Sequence, residues 1–221
     1  MQITARIIDT IPVTHNVRHY RLERPRNYGF SPGQATEVSV DRDGWRDWKR
    51  PFTFTGLPDA DTLEFTVKSY FDRQGVTNQL WSLGAGDHLI LRDVWGTIQY
   101  RGKGTFIAGG AGVTPFIAIL RHLNATGNLA GNRLIVSNRT EKDIILRAEF
   151  EAMEGLDVLW TVTADPRSAL LQERIDADFL KRRVPDLAQN FYLCGPDTMV
   201  EELRDLLDAA GADVANVTWE R

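Results

Sequence analysis

The sequence predicts two domains, an antiparallel β-barrel or sandwich followed by a parallel α/β sheet, and three observations carry that expectation. Residues 2–100 hold short segments of strand-forming residues broken by Pro and Gly, the pattern of half-buried strands joined by turns. After Arg101-Gly102-Lys103-Gly104, apolar strand-like runs alternate with helix-like stretches, the pattern of a parallel sheet with right-handed crossovers. The 221 residues suffice for two modest domains, since typical domains run to roughly 100–150 residues. The expected division is therefore 1–100 and 101–221.

In the first part the cleanest alternation is Leu63-Glu64-Phe65-Thr66-Val67-Lys68-Ser69-Tyr70, a strand with one buried face. Further strands are expected at 2–8, 18–22, 35–40, 50–55 and 88–91, with a short helix over 78–83. Their breaks are Pro32-Gly33, Asp43-Gly44, Gly56-Leu57-Pro58 and Gly84-Ala85-Gly86. In the second part strands at 105–108, 133–136, 158–162 and 191–193 are followed by helices at 115–123, 143–153, 176–183 and 197–210. The last helix places Val200, Leu203, Leu206 and Leu207 on one face, and Gly211 is a natural stop.

Composition narrows the function classes. Hydrophobic residues at 43% and charged residues at 25% are ordinary for a globular protein and disfavour disorder. A net charge of -4 gives no basic face for nucleic acid. The acidity sits in the second half, because residues 1–100 carry 12 basic and 12 acidic side chains and the remainder 14 and 18. No run of about 18 apolar residues occurs and the N-terminus lacks a leader pattern, so a soluble, cytoplasmic protein without a membrane segment is expected. One cysteine, Cys194, rules out an internal disulfide and cannot supply the four thiolates of a typical iron–sulfur cluster, so any one-electron partner is expected to be a separate molecule. His15, His19, His88 and His122 are scattered, without the spacing of a metal site.

Three segments carry chemistry. In Thr105-Phe106-Ile107-Ala108-Gly109-Gly110-Ala111-Gly112-Val113-Thr114-Pro115-Phe116 an apolar strand enters a glycine-rich turn ending in Thr-Pro, with Thr placed to cap a helix and Pro pre-set for its first turn. Such a turn lets backbone approach a pyrophosphate and offers it helix N–H groups. It differs from the Gly-x-Gly-x-x-Gly fingerprint, and alone it is as often only a tight connection. Phe191-Tyr192-Leu193-Cys194-Gly195-Pro196-Asp197-Thr198-Met199 again puts small residues between a buried strand and a helix. A lone cysteine there is commonly a small buried hydrophobe, though the C-terminal end of a parallel strand favours a site role. Lys49-Arg50-Pro51-Phe52-Thr53-Phe54-Thr55 combines a phosphate-binding cation, an aromatic face and hydroxyls. Alternation puts Arg50, Phe52 and Phe54 on one face and Thr53 and Thr55 on the other; the bland reading is a core strand with a solvated arginine.

Taken in order, these segments resemble the ferredoxin–NADP reductase superfamily, which includes the cytochrome reductases and the reductase parts of oxygenases. The resemblance covers nearly the whole chain. It rests on Arg50-Pro51-Phe52-Thr53, on Val67-Lys68-Ser69-Tyr70 followed by Gly75-Val76-Thr77, on Gly109-Gly110-Ala111-Gly112-Val113-Thr114-Pro115, on Asn138-Arg139-Thr140-Glu141-Lys142-Asp143-Ile144-Ile145-Leu146, and on Cys194-Gly195-Pro196-Asp197-Thr198-Met199.

The resemblance implies a six-stranded antiparallel Greek-key β-barrel that holds FAD, then a five-stranded α/β parallel-sheet nucleotide-binding domain for NADPH or NADH, with the two ligands meeting in a cleft. It implies that Arg50 binds the flavin phosphate, Phe52 lies against the ring, Thr53 bonds near the reactive nitrogen and the Gly75-Val76-Thr77 backbone cradles the pyrophosphate, with Pro51, Val67, Lys68 and Tyr70 around them. Gly110, Ala111, Gly112, Thr114, Pro115, Asn138, Arg139, Gly195, Pro196 and Met199 are implied around the nicotinamide nucleotide, and Cys194 beside the carbon that gives up hydride. Thr53 and Cys194 are thus the expected catalytic positions. Gly75-Val76-Thr77-Asn78-Gln79-Leu80 is one residue shorter than the family's usual Gly-x-x-Ser-x-x-Leu segment. Trp219 either covers the flavin, as a terminal aromatic does in many relatives, or closes the core; Glu220 is a weaker candidate for a ring contact.

The expected reaction is hydride transfer from NAD(P)H to FAD, with electrons passed to a separate acceptor such as a ferredoxin or oxygenase component. Ser137, Asn138 and Arg139 have no acid after them until Glu141, which permits NADPH without excluding NADH. Arg42, Arg46, Lys49 and Arg50 with Trp45 and Trp48 form a conceivable rim for an acidic partner, against which Asp41, Asp43 and Asp47 nearly cancel the charge. The alternatives are a reductase of free flavin or another small oxidant, and a non-catalytic flavin- or nucleotide-binding module of a larger complex.

Overall fold

A computed structural model describes residues 2–96 and 98–219. Glu220, singled out above, lies outside the described residues, as does Arg221. The chain divides into two compact units, 1–99 with 114–122, and 100–113 with 123–221.

The first unit is a six-stranded antiparallel barrel. Its strands are β1 (Ile3–Pro12), β2 (Val17–Glu23), β3 (Gln34–Val40), β4 (Arg50–Thr53), β5 (Thr62–Lys68) and β6 (His88–Gly96), in the order β4-β3-β6-β1-β2-β5. The barrel closes where Phe54 bridges Phe65 and the Thr55 N–H donates to the Glu64 carbonyl at 2.8 Å. This bridge joins the two end strands of the order just beyond the end of β4. It also overturns the expected face pattern after Arg50. The strand ends at Thr53, and Thr53, Phe54 and Thr55 are all buried, because Phe54 turns into the core to stack on Phe30 (4.3 Å between centroids) while Thr55 meets Thr66 inside. Helix α1 (Val76–Trp81) starts two residues earlier than expected and seals the barrel with Val76 and Leu80.

The second unit is a parallel sheet of β7 (Gly104–Gly109), β8 (Arg133–Asn138), β9 (Asp157–Val162), β10 (Asn190–Cys194) and β11 (Val217–Trp219), in the order β11-β10-β7-β8-β9. The last strand is the fifth that the resemblance implies, at a position that no sequence pattern indicated. Val217, Thr218 and Trp219 pair with Phe191, Tyr192 and Leu193, so Trp219 packs on the core of this unit, with the Arg204 guanidinium 3.8 Å above its ring. Helix α2 (Thr114–Ala125) follows β7, α4 (Ala177–Arg183) precedes β10, and α5 (Asp197–Ala210) ends at Gly211, whose φ of +96° is open to glycine without strain.

One expected helix is much shorter. In place of a helix over 143–153 there is a 3-10 turn, Glu141–Asp143, and a five-residue α3 (Arg147–Glu151). Asp143 accepts bonds from the Thr140 N–H (3.0 Å) and hydroxyl (2.6 Å), which closes the first turn on itself. Ile144 (ψ 119°) is extended and Leu146 (φ 53°) left-handed, so the helix restarts only at Arg147, with Ile144 and Ile145 buried between the two turns.

Candidate functional site

The site residues fall into two groups, one on the barrel and one at the strand ends of the parallel sheet, with Thr114 and Pro115 at the start of the stretch of α2 that belongs to the first unit. In the barrel, β4 and the end of β5 run antiparallel from the Phe54–Phe65 bridge, so Arg50 and Tyr70 lie toward the same end. Arg50 and Pro51 are exposed, Phe52 is half-buried against the barrel core and Thr53 is buried. The Arg50 guanidinium makes one bond, to the carbonyl of neighbouring Lys49 at 2.9 Å, and no ion pair among the described residues. The other cations of this loop are neutralised: Arg42 by Asp87 (3.1 Å), Arg46 by Asp41 (2.6 Å) and Asp43 (2.5 Å), and Lys49 by Glu37 (2.5 Å). Arg50 thus stands out from the charged residues around it.

Beyond β5 the chain folds over itself. The Ser69 hydroxyl donates to the Thr77 carbonyl at 2.8 Å, which fixes the Gly75-Val76-Thr77 backbone beside Tyr70 despite the shortened segment. Tyr70 is exposed, with Lys68 Nζ 5.8 Å and the Arg73 guanidinium 5.5 Å from its ring centre, close enough for cation–π attraction. Val67 and Val76 are core side chains, so only their backbone is available to a ligand.

In the second unit the strand ends converge. Ala108 pairs with Cys194, and Gly109 with Ser137, which sets the turns after β7, β8 and β10 side by side. The glycines make this possible. A Cβ on Gly109 would meet Met199 Sδ at 2.6 Å and Pro196 Cδ at 2.8 Å, and one on Gly112 would collide with the backbone of Cys194 and Gly195. Their first job is therefore to let two loops interleave. Gly110 (φ +53°) begins a 3-10 turn, Gly110–Val113, that includes Ala111 and runs directly into α2 at Thr114. The expected cap at Thr114 is absorbed into the helix; Pro115, buried in the first turn, sacrifices no bond because first-turn N–H groups have no intrahelical partner.

Asn138 ends β8 and is 6% exposed, yet neither its amide oxygen nor its nitrogen has a partner. It lies beside the turn, with Oδ1 4.0 Å from where a Cβ on Gly110 would be. Cys194 is buried and Arg139 is exposed. Next to these strand ends lies a cavity of about 300 Å³ lined by Ser137, Thr163, Arg174, Thr198, Met199 and Glu202, among others. Arg174 is paired with Glu202 at 2.5 Å. Of these Met199 was expected as a site residue, and Ser137 and Thr198 fell within segments singled out in the sequence; Thr163 follows β9 as Asn138 closes β8, and the rule that ligands bind at the carboxyl ends of parallel strands would have found it. A larger apolar hollow of about 460 Å³ lies between α4 and the last turns of α5, away from these strand ends and with Lys181 as its one charged lining residue.

Comparison with known proteins agrees with this architecture. Residues 106–205 match the oxidoreductase NAD-binding domain family. The chain is 26% identical over 241 residues to the reductase component of propane 2-monooxygenase from Rhodococcus jostii (strain RHA1), covering 99% of this chain and 63% of that protein. It is 28% identical over 237 residues to NADH-cytochrome b5 reductase 1 of Rattus norvegicus, covering 89% and 77% respectively. In fold it is similar to a ferredoxin NADP+ reductase from Neisseria gonorrhoeae with bound FAD and NADP (TM-score 0.85, 19% identity, 99% of this chain and 98% of that one). It is likewise similar to the cytochrome b5 reductase domain of Ulva prolifera nitrate reductase (TM-score 0.86, 21% identity, 100% and 97%). The chain is thus similar over nearly its whole length to ferredoxin–NADP reductase-like proteins, and residues 106–205 match the oxidoreductase NAD-binding domain family.

The residues present fit the two groups such proteins carry. Arg50, charged and without an ion pair among the described residues, suits a phosphate. The Asn138 amide, buried without partners, suits a ligand that supplies a donor and an acceptor, since an unpaired buried amide costs about 1–3 kcal/mol.

Proposed function

We propose that this chain is an FAD-dependent NAD(P)H oxidoreductase that passes electrons on to a separate acceptor such as a ferredoxin or an oxygenase component. The observation that carries this reading is the pairing, in one chain, of a barrel with a free Arg50 beside Phe52 and Thr53 and a parallel sheet with an orphaned Asn138 at its glycine turn. FAD, when bound, supplies an acceptor for two electrons from the nicotinamide that can be released singly. Arg50 holds the flavin phosphate, Phe52 contributes an apolar face, and the Thr53 hydroxyl, mostly withdrawn from water, donates toward the ring. Lys68, Tyr70 and the Gly75-Val76-Thr77 backbone hold the remainder of the flavin nucleotide. On the nucleotide side Gly110, Ala111, Gly112, Thr114 and Pro115 shape the turn, Asn138 pairs its amide with the ligand, and Gly195, Pro196 and Met199 with buried Cys194 line the nicotinamide end. Arg139, exposed and unpaired among the described residues, directly follows β8, and Arg174, already shared with Glu202, lines the cavity; these cations favour NADPH over NADH.

An anaerobic titration of the FAD-loaded protein with NADPH and, separately, NADH tests the reading. The yellow colour bleaches, with the higher rate for NADPH. A protein that binds FAD and bleaches with neither nucleotide is a binding module, and the proposal fails.

A further inference from the structure

A closed circuit of polar contacts inside the barrel unit reaches helix α2. Arg121 donates to the Thr55 carbonyl at 2.8 Å and pairs with Glu64 Oε2 at 3.1 Å. Glu64 Oε2 also faces His19 Nε2 at 3.6 Å, His19 Nδ1 lies 3.3 Å from Thr66 Oγ1, and Thr66 Oγ1 lies 3.2 Å from Thr55 Oγ1. The circuit therefore ties β2, β5, the residue that continues β4 and α2 into one network. The Arg121 and Glu64 side chains are only 21% and 22% exposed, and Thr55 and Thr66 are buried. A surface ion pair contributes little, whereas a charged donor on a buried carbonyl is among the stronger bonds a protein makes.

Helical geometry links this tie to the nucleotide turn. Arg121 follows Thr114 by seven residues, so it projects about 20° from the same direction and about 10 Å further along the axis. The face of α2 that Arg121 fastens to Thr55 and Glu64 is thus the face that carries Thr114. Thr55 in turn lies two residues beyond Thr53.

We propose that Arg121 is a positioning residue that sets the rotation of α2 and so holds Thr114 and Pro115 in fixed register with the strand carrying Thr53. The inference rests on the reductase reading above. With the tie cut, α2 turns and slides on the barrel, and a misplacement of even 1 Å costs up to about 100-fold in the rate of a group transfer.

The test compares Arg121→Met, which keeps an apolar stem, with Arg121→Lys, Glu64→Gln and the Arg121→Met/Glu64→Gln double variant. In the protein without cofactors, amide hydrogen exchange over residues 114–122 speeds up in Arg121→Met while exchange in β1 and β6 is unchanged. In the FAD-loaded protein the limiting bleaching rate at saturating NAD(P)H falls about tenfold or more, while FAD affinity stays within about twofold. Arg121→Lys recovers part of the rate because the charge is kept, but on a shorter stem whose ammonium falls short of the position from which Arg121 Nη1 reaches both acceptors. Glu64→Gln loses less than Arg121→Met, and the double variant is no worse than Arg121→Met. Wild-type exchange and wild-type limiting rate in Arg121→Met overturn the inference, as does a rate loss matched by loss of FAD binding, which marks a structural role. A wild-type protein that binds FAD without bleaching fails the reductase reading and this role with it; a bleaching wild type with an indifferent Arg121→Met fails this inference alone.

Discussion

Asn138 buries an amide with no partner on either atom, an arrangement that lowers stability unless something occupies it. Replacing it with an apolar isostere separates the two effects. Asn138→Leu is expected to raise the melting temperature of the cofactor-free protein or leave it unchanged, while weakening NAD(P)H binding by about tenfold, the loss of one or two hydrogen bonds. Calorimetry of both forms with and without nucleotide checks this, and a destabilised variant with normal nucleotide affinity refutes it. Arg50 is the opposite case, exposed and without an ion pair among the described residues. Arg50→Met should leave thermal stability unchanged within about 0.5 kcal/mol and reduce FAD affinity by about tenfold or more, read by equilibrium dialysis. Gly112 has a structural duty that its sequence context does not reveal. Gly112→Ala drives a methyl into the Cys194–Gly195 backbone and is expected to cost about 1–3 kcal/mol in urea unfolding, an overpacking penalty, irrespective of cofactor.

Among the elements, α5 was the most legible and α3 the least. Val200, Leu203 and Leu207 repeat at helical spacing and are buried as expected, and Leu207→Ala should cost about 2–5 kcal/mol in denaturant unfolding. The stretch after β8 has helix-forming residues, yet it breaks because Asp143 bonds back to Thr140 and because Leu146 takes a left-handed conformation (φ 53°). Neither cause appears in a periodicity. The Gly84–Asp87 turn before β6 offers a pH prediction. The Gly84 N–H, helped by Arg42, holds the Asp87 carboxyl below its ordinary value of 3.8. A depressed carboxyl stabilises the fold above its unfolded value and loses that contribution as pH falls through the folded one. Wild type should therefore lose stability on acidification below about pH 4 more steeply than Asp87→Asn, whose unfolding midpoint at pH 7 should already be lower.

Across the whole molecule, the sequence by itself determined the two architectures and the order of the binding segments. Strand alternation with Pro and Gly breaks, strand–helix alternation, and the glycine turn are written in local chemistry, and apart from the helix expected over 143–153 the elements they predict form with shifts of a few residues at their ends. No helix among the described residues is long and apolar enough to cross a membrane, in keeping with those local patterns. Tertiary structure decided what required distant partners: that Phe54 turns inward to close the barrel on Phe65, that β11 joins the sheet beside β10, and that the glycines after β7 let their turn interleave with the loop after β10. It also decided which polar groups remain unmatched. Whether Arg50 is paired, Asn138 orphaned or Arg121 fastened to Glu64 depends on residues tens of positions away. Hydrogen bonding and charge pairing are satisfied through space, whereas the hydrophobic periods that define strands and helices are satisfied along the chain.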